Sequence, residues 1–127
     1  MLRFVVPGNP VPAARPRVTR GRTFMPKGAT EHLECIRYYA ADACSVRFPK
    51  GTAVRVRVDF YQSNALRMDI DNLAKLVLDG MLPMVHRATG TVGWPGVFDD
   101  DSQVTELVAR KLRDTESPRT EVEVEAA

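Results

Sequence analysis

Two acidic runs and one lysine carry the chemistry that this sequence can do. Asp69-Ile70-Asp71-Asn72 stands at the entry to an amphipathic stretch, and Asp99-Asp100-Asp101-Ser102 follows later in the chain. Inside an α-helix, carboxylates at i and i+2 point about 200° apart and cannot converge. They converge if Asp69 is still extended and Asp71 opens the helix. Two anions held that close repel and raise each other's pKa unless a cation lies between them. Hard carboxylate oxygens favour Mg²⁺, with Mn²⁺ as a substitute, over softer metals. Helix capping is the competing explanation, because Asp at a helix N-terminus is common and stabilising. The second acidic run weighs against it.

Lys75 follows Asp71 by one helical turn on the same face, and Asp79 continues that face. The plain reading is a solvated i,i+4 ion pair worth about 0.3 kcal/mol. The sharper one is a fixed ammonium beside the metal, holding a scissile phosphate or the charge developing on it. Asp99, Asp100 and Asp101 could form a solvated turn. Alternatively, a strand end could present one of the three as a further ligand to a helix N-terminus nearby. An Asp-x-Asp pair, a remote Asp and a nearby Lys together suit phosphodiester hydrolysis, in which the metal neutralises the phosphate and lowers the pKa of water. Neither histidine is required. His32 is expected on the exposed side of a helix's first turn, and His86 in a long loop.

The elements that must position these groups follow from periodicity. Leu2 to Val6 alternates as a short strand, and Ala53 to Tyr61 alternates valine and phenylalanine against arginine, aspartate and tyrosine. Thr30 to about Val46 carries Leu33, Ile36 and Ala40 at helical spacing, with Thr30 as N-cap. Asp71 to Met81 is a helix with the stripe Leu73, Leu76, Val77, Gly80 and Met81, stopped by Pro83. Gln103 to Leu112 and Thr120 to Val124 read as two last strands. The order β-α-β-α-β-β predicts a single α+β domain over 1–127, a mixed four-stranded sheet with helices packed on it. Two segments stand outside that frame. Residues 7–27 form a proline- and arginine-rich arm or hairpin expected to be exposed, and residues 84–98 form a long loop without periodicity.

With 127 residues the chain has room for one core. It lacks an apolar run long enough for a membrane span, and its N-terminal apolar stretch is too short for a secretory signal, so a cytoplasmic setting is expected. Cys35 and Cys44 would lie about 13 Å apart along one helix and cannot bridge; buried, small apolar roles are expected. The net charge of +2 conceals an uneven distribution. Met1 to Thr30 has five arginines, one lysine and no acid, whereas Asp99 to Glu125 has nine acids against four bases. This implies either a polyanionic partner reconciled with the carboxylates by a cation, or internal cancellation.

The combination Arg67-Met68-Asp69-Ile70-Asp71-Asn72-Leu73-Ala74-Lys75, then Asp79-Gly80, then Asp100-Asp101-Ser102-Gln103-Val104, resembles the paired motifs of RusA-type Holliday junction resolvases. Gly8-x-Pro10 and Arg15-Pro16-Arg17 are similar to the family's entrance segment. The resemblance implies a homodimer that binds four-way DNA junctions and cuts them symmetrically with Mg²⁺ in recombination and repair. It also implies that Asp69, Asp71, Asp101 and Lys75 are catalytic, with Asp100 a supporting or alternative metal ligand. Three features depart from the pattern: residues 84–98 are longer than in the shorter members, Asp99 adds a third acid, and Ala13-Ala14 stands where many members have a lysine.

DNA contact has its own support in the sequence. Arg15, Arg17, Arg20, Arg22 and Lys27 lie on the acid-free arm, Arg55 and Arg57 on the polar face of a strand, and Arg67 beside the acids. Neutralising the phosphate backbone in this way is independent of sequence and sensitive to salt. Trp94 could stack on an unpaired base, although pinning its own loop is the simpler role. Two other functions compete. A branched-DNA-binding protein without catalysis conflicts with the intact acids and Lys75. A nucleotide-sugar enzyme holding a metal-diphosphate needs a larger domain and leaves the basic arm unexplained.

Overall fold

A computed structural model describes residues 1–13, 17–19, 22–24, 27–64 and 67–127, with backbone alone for 17–19, 22–24 and 27. Four strands form one sheet: β1 (Leu2–Pro7), β4 (Val54–Gln62), β7 (Val104–Arg113) and β8 (Arg119–Ala126). Their order is β1-β8-β4-β7, with β4 and β7 parallel and β8 antiparallel to both of its neighbours. The strand latest in chain order therefore occupies an interior position, and β7 is an edge. Helices α1 (Lys27–Ala43) and α2 (Ile70–Met81) pack on each other and cover one face.

The period-two pattern decides which side chains meet the helices. Leu2, Phe4 and Val6 of β1, Val54, Val56, Val58 and Phe60 of β4, and Val122 and Val124 of β8 are buried. They pack with Ile36 and Ala40 of α1 and Leu73, Leu76, Val77 and Met81 of α2. Gly80 permits the closest approach between the helices, since a Cβ there would lie 2.9 Å from the Ile36 Cβ.

The opposite face is a lattice of charge pairs. Arg55 reaches Glu106 at 2.6 Å and Glu125 at 3.1 Å, Arg110 grips both Asp59 oxygens, and Arg3 faces Glu123. Arg119 joins Asp114 to Glu121 and lies over the Tyr61 ring. Of the nine acids between Asp99 and Glu125, six are paired among the described residues in this way or with Arg47: Asp99, Glu106, Asp114, Glu121, Glu123 and Glu125. Most of the acidic excess is cancelled internally.

Several local expectations need correction. Helix α1 begins at Lys27, because buried Ala29 extends the stripe of Leu33, Ile36 and Ala40 by a turn, and Thr30 lies inside the helix. His32 is half-buried, and desolvation lowers its pKa. Cys35 is exposed; Cys44 is half-buried, its thiol donating to the Val46 carbonyl, and burial raises its pKa. The segment leaving β1 is not exposed throughout: Pro10 is buried, and Val11 and Ala13 pack against the core. A backbone hairpin, β2 (Arg17–Thr19) with β3 (Arg22–Phe24), follows. Residues 84–98 contain the hairpin β5 (Met84–Val85) with β6 (Val92–Trp94) and end in fully buried Val97 and Phe98, with Trp94 packed on the core.

Candidate active site

At the start of α2 the backbone makes the break that convergence of the two acids requires. Asp69 is extended, with φ −69° and ψ 127°, and helical structure begins at Ile70. The Asp69 carboxylate accepts no capping hydrogen bond. Asp71, in the first turn, accepts only from the neighbouring Asn72 N–H at 3.0 Å among the described contacts. Both side chains are exposed, and neither has an ion pair among the described residues. Capping therefore does not account for them, and their donor chemistry fits a hard cation. Lys75 projects from the same face, with its ammonium 3.4 Å from Asp79. Arg67 is exposed just ahead of Asp69.

Two contacts fix this helix end. The Lys111 ammonium near the end of β7 donates to the Met68 carbonyl at 2.8 Å. The Ala13 N–H donates to the Asn72 carbonyl at 2.9 Å. Ala13, the last described residue before the arginine-rich segment, thus lies beside the helix end that carries Asp69 and Asp71. Arg15 and Arg20 lie outside the described residues, as do the side chains of Arg17, Arg22 and Lys27. Arg55 and Arg57 are on the far face of the sheet, where Arg55 is held by Glu106 and Glu125, and Arg57 lies 3.9 Å from Asp59.

The second acidic run is at the other end of α2. The Met81 carbonyl accepts from the Val97 N–H at 2.8 Å, and Asp99 follows Val97 by two residues. Helix α2 spans about 18 Å at roughly 1.5 Å per residue, and β7 runs from the second run toward the first. One chain therefore does not bring Asp101 to Asp69 and Asp71, contrary to the expectation that a strand end presents it to the adjacent helix N-terminus. No cluster of three or more potential metal-ligating side chains exists among the described residues.

Within the run the three acids differ. Asp99 bonds to the Arg47 guanidinium at 2.6 Å and the Lys50 N–H at 2.8 Å, and Arg47 holds its pKa below the usual range. Arg47 also donates to the carbonyls of Pro95 and Gly96, tying the preceding segment to the same point. Asp100 caps a 3₁₀ turn, Asp101–Gln103, and accepts from the Ser102 hydroxyl at 2.9 Å; that hydroxyl heads the causes that lower its pKa. Asp101 is exposed and has no ion pair among the described residues. Beside the run lies a cavity of about 370 Å³ lined by Lys50, Thr52, Asp100, Ser102 and Thr105, with buried Gln103 in its wall.

Sequence reasoning did not single out Arg47, and it met Gln103 only as a member of the motif Asp100-Asp101-Ser102-Gln103-Val104, without a role of its own.

The family model described as Endodeoxyribonuclease RusA matches residues 7–125. No curated protein matches the chain.

Proposed function

This chain belongs to the RusA endodeoxyribonuclease family, and from that premise we propose that it resolves four-way DNA junctions as a homodimer dependent on Mg²⁺. In this reading each of two sites takes Asp69, Asp71 and Lys75 from one copy and Asp101 from the other. The carrying observation is the separation of Asp101 from the other two acids along α2 within a single chain. Two carboxylates and a lysine make a poor cage, whereas a third carboxylate from a second copy completes a hard oxygen donor set.

The outer edge of β7, unpaired among the described residues, offers a route to that arrangement. Two copies of β7 paired antiparallel about a two-fold axis would set the start of each strand beside the end of the other. The start carries Asp101, and the end carries Lys111, which holds the segment leading into Asp69. Leu107 and Val108 on this edge are 43% and 41% exposed.

Asp69, Asp71 and Asp101 would hold a divalent ion, which when bound would supply neutralisation of the scissile phosphate and a lowered pKa for water. The Lys75 ammonium anchors a non-bridging phosphate oxygen and offsets the charge that builds on it. Asp69 and Asp71 would present their carboxylates to the ion from the rigid end of a helix. Arg67 and the basic arm bind the flanking backbone, supported by the Ala13–Asn72 contact that roots the arm beside the acids. Arg55 and Arg57, already committed to carboxylates on the other face, act as cross-links between strands in this reading. Recombination and repair in the cytoplasm is the setting that suits such an activity.

The deciding experiment is cleavage of a labelled four-way junction in Mg²⁺ or EDTA by wild type, Asp71→Asn and Asp101→Asn. Wild type is expected to cut symmetrically in Mg²⁺ alone, and each variant to be inactive. Mixing the two inactive variants regenerates one intact site per heterodimer, so nicking returns without paired cutting. Binding without Mg²⁺-dependent cutting by wild type overturns the catalytic reading. Silence in the mixture, with heterodimers demonstrated, overturns the shared site.

A further inference from the structure

Gln103 is buried at 7% exposure beneath the second acidic run, and both ends of its amide are bonded. Its Oε1 accepts from the N–H groups of Asp99 at 2.8 Å and Asp100 at 3.1 Å. Its Nε2 donates to the carbonyls of Pro49 and Thr52 at 2.9 Å each, and of Phe48 at 3.3 Å. One side chain thus joins the turn at 48–52 to the backbone of the acids. It also completes the capping box of the short turn that begins at Asp101.

Without this amide the run has reasons to come apart. Adjacent carboxylates repel, and the Asp99 and Asp100 N–H groups would lose their acceptor while three carbonyls lost a donor. The other ties in the run act on Asp99 and Asp100. Arg47 and the Lys50 N–H hold the Asp99 carboxylate, and Ser102 holds that of Asp100. Asp101 meets the Asp100 carboxylate and is otherwise carried by the backbone of the turn, which Gln103 anchors from below.

We infer that Gln103 is a positioning residue for cation binding by Asp101, acting through the backbone of Asp99 and Asp100. The inference rests on the reading of Asp101 as a ligand for the divalent ion. A polar group that orients a ligand in this way typically changes metal affinity about 10–100-fold when removed. Gln103 never meets DNA or ion in this scheme, so its loss acts on ion affinity and not on junction affinity.

The test uses the full chain and Mn²⁺ alone as the probe, with unbound ion followed by electron paramagnetic resonance. Wild type, Asp101→Asn and Gln103→Met are compared, and junction binding in EDTA and Tm are measured in parallel. Both variants are expected to weaken Mn²⁺ binding by about tenfold or more, with the junction affinity of Gln103→Met in EDTA unchanged. A purely structural Gln103 would lower Tm and leave Mn²⁺ affinity as it was; that result overturns the inference. Should Gln103→Met not fold, Gln103→Asn makes the same comparison, since it keeps the amide but is one methylene short of spanning both sides. Unchanged Mn²⁺ binding by Asp101→Asn would remove Asp101 from the ligand set and overturn the site reading as well.

Discussion

Asp69 occupies an N-cap position without serving as a cap, since its carboxylate takes no hydrogen bond from the helix it precedes. The usual stabilising return for Asp at that position is thus forgone. Asp69→Asn is therefore expected to lower junction cleavage about a hundredfold or more, while Tm stays within about 2 °C, a shift smaller than 1 kcal/mol would give. Cleavage rates beside a calorimetric scan check both halves, and a large fall in Tm would restore the capping explanation. The sequence carried enough to place this pair at a helix start, because the helical period begins at Asp71, just after Asp69. It did not separate the downstream acids. Asp99 is withdrawn by Arg47, which lies 52 residues away in the chain, and no local pattern encodes that pairing. The role of Gln103 was not legible for a similar reason: the motif names the residue, but its donors and acceptors come from the backbone of 99–100 and 48–52.

At the scale of elements, the two acidic runs depend on how α2 is seated. Gly80 faces Ile36 of α1, and Gly96 sits against the end of α2 at φ +82°, a backbone conformation that suits glycine. A Cβ at Gly96 would lie 2.8 Å from the Met81 carbonyl oxygen and 2.7 Å from the Pro83 nitrogen. Gly80→Ala and Gly96→Ala are each expected to cost about 1–3 kcal/mol, read by urea unfolding. Gly96→Ala should in addition reduce cleavage by the surviving folded protein, since Arg47 holds the Gly96 carbonyl together with Asp99. Equal specific activity in both variants would show that this junction does not support the acids. Helix and strand identities were legible from periodicity. The short hairpin within 84–98 was not, because β5 and β6 have only 2 and 3 residues and no alternation to detect.

For the molecule as a whole, charge pairing on the open face makes stability depend on acid. Asp59, Asp99 and Asp114 have pKa values lowered first by Arg110, Arg47 and Arg119 respectively. A depressed carboxylate pKa contributes stability that is present above the unfolded value, about 4, and is lost as pH falls through the folded value. His32 is lowered by burial, so its neutral form is favoured in the folded state and protonation opposes folding progressively below about pH 6.5. A profile of Tm against pH is expected to descend gently below 6.5 and steeply below 4. His32→Gln should remove the first descent, and Asp59→Asn should lessen the second. A profile flat from pH 7 to 5 in wild type would refute the assignment to His32.

The interior place of β8 has a consequence for how the protein is made. Strand β1 reaches the rest of the sheet only through β8, and β4 gains its antiparallel neighbour only when β8 arrives. Non-local pairing of this kind is slow to form and leaves strand edges open until it is complete. A nascent chain on the ribosome therefore holds both acidic runs well before it holds a closed sheet to mount them on. The sheet on which both acidic runs are mounted is therefore completed only when β8, made after both of them, has paired with β1 and β4.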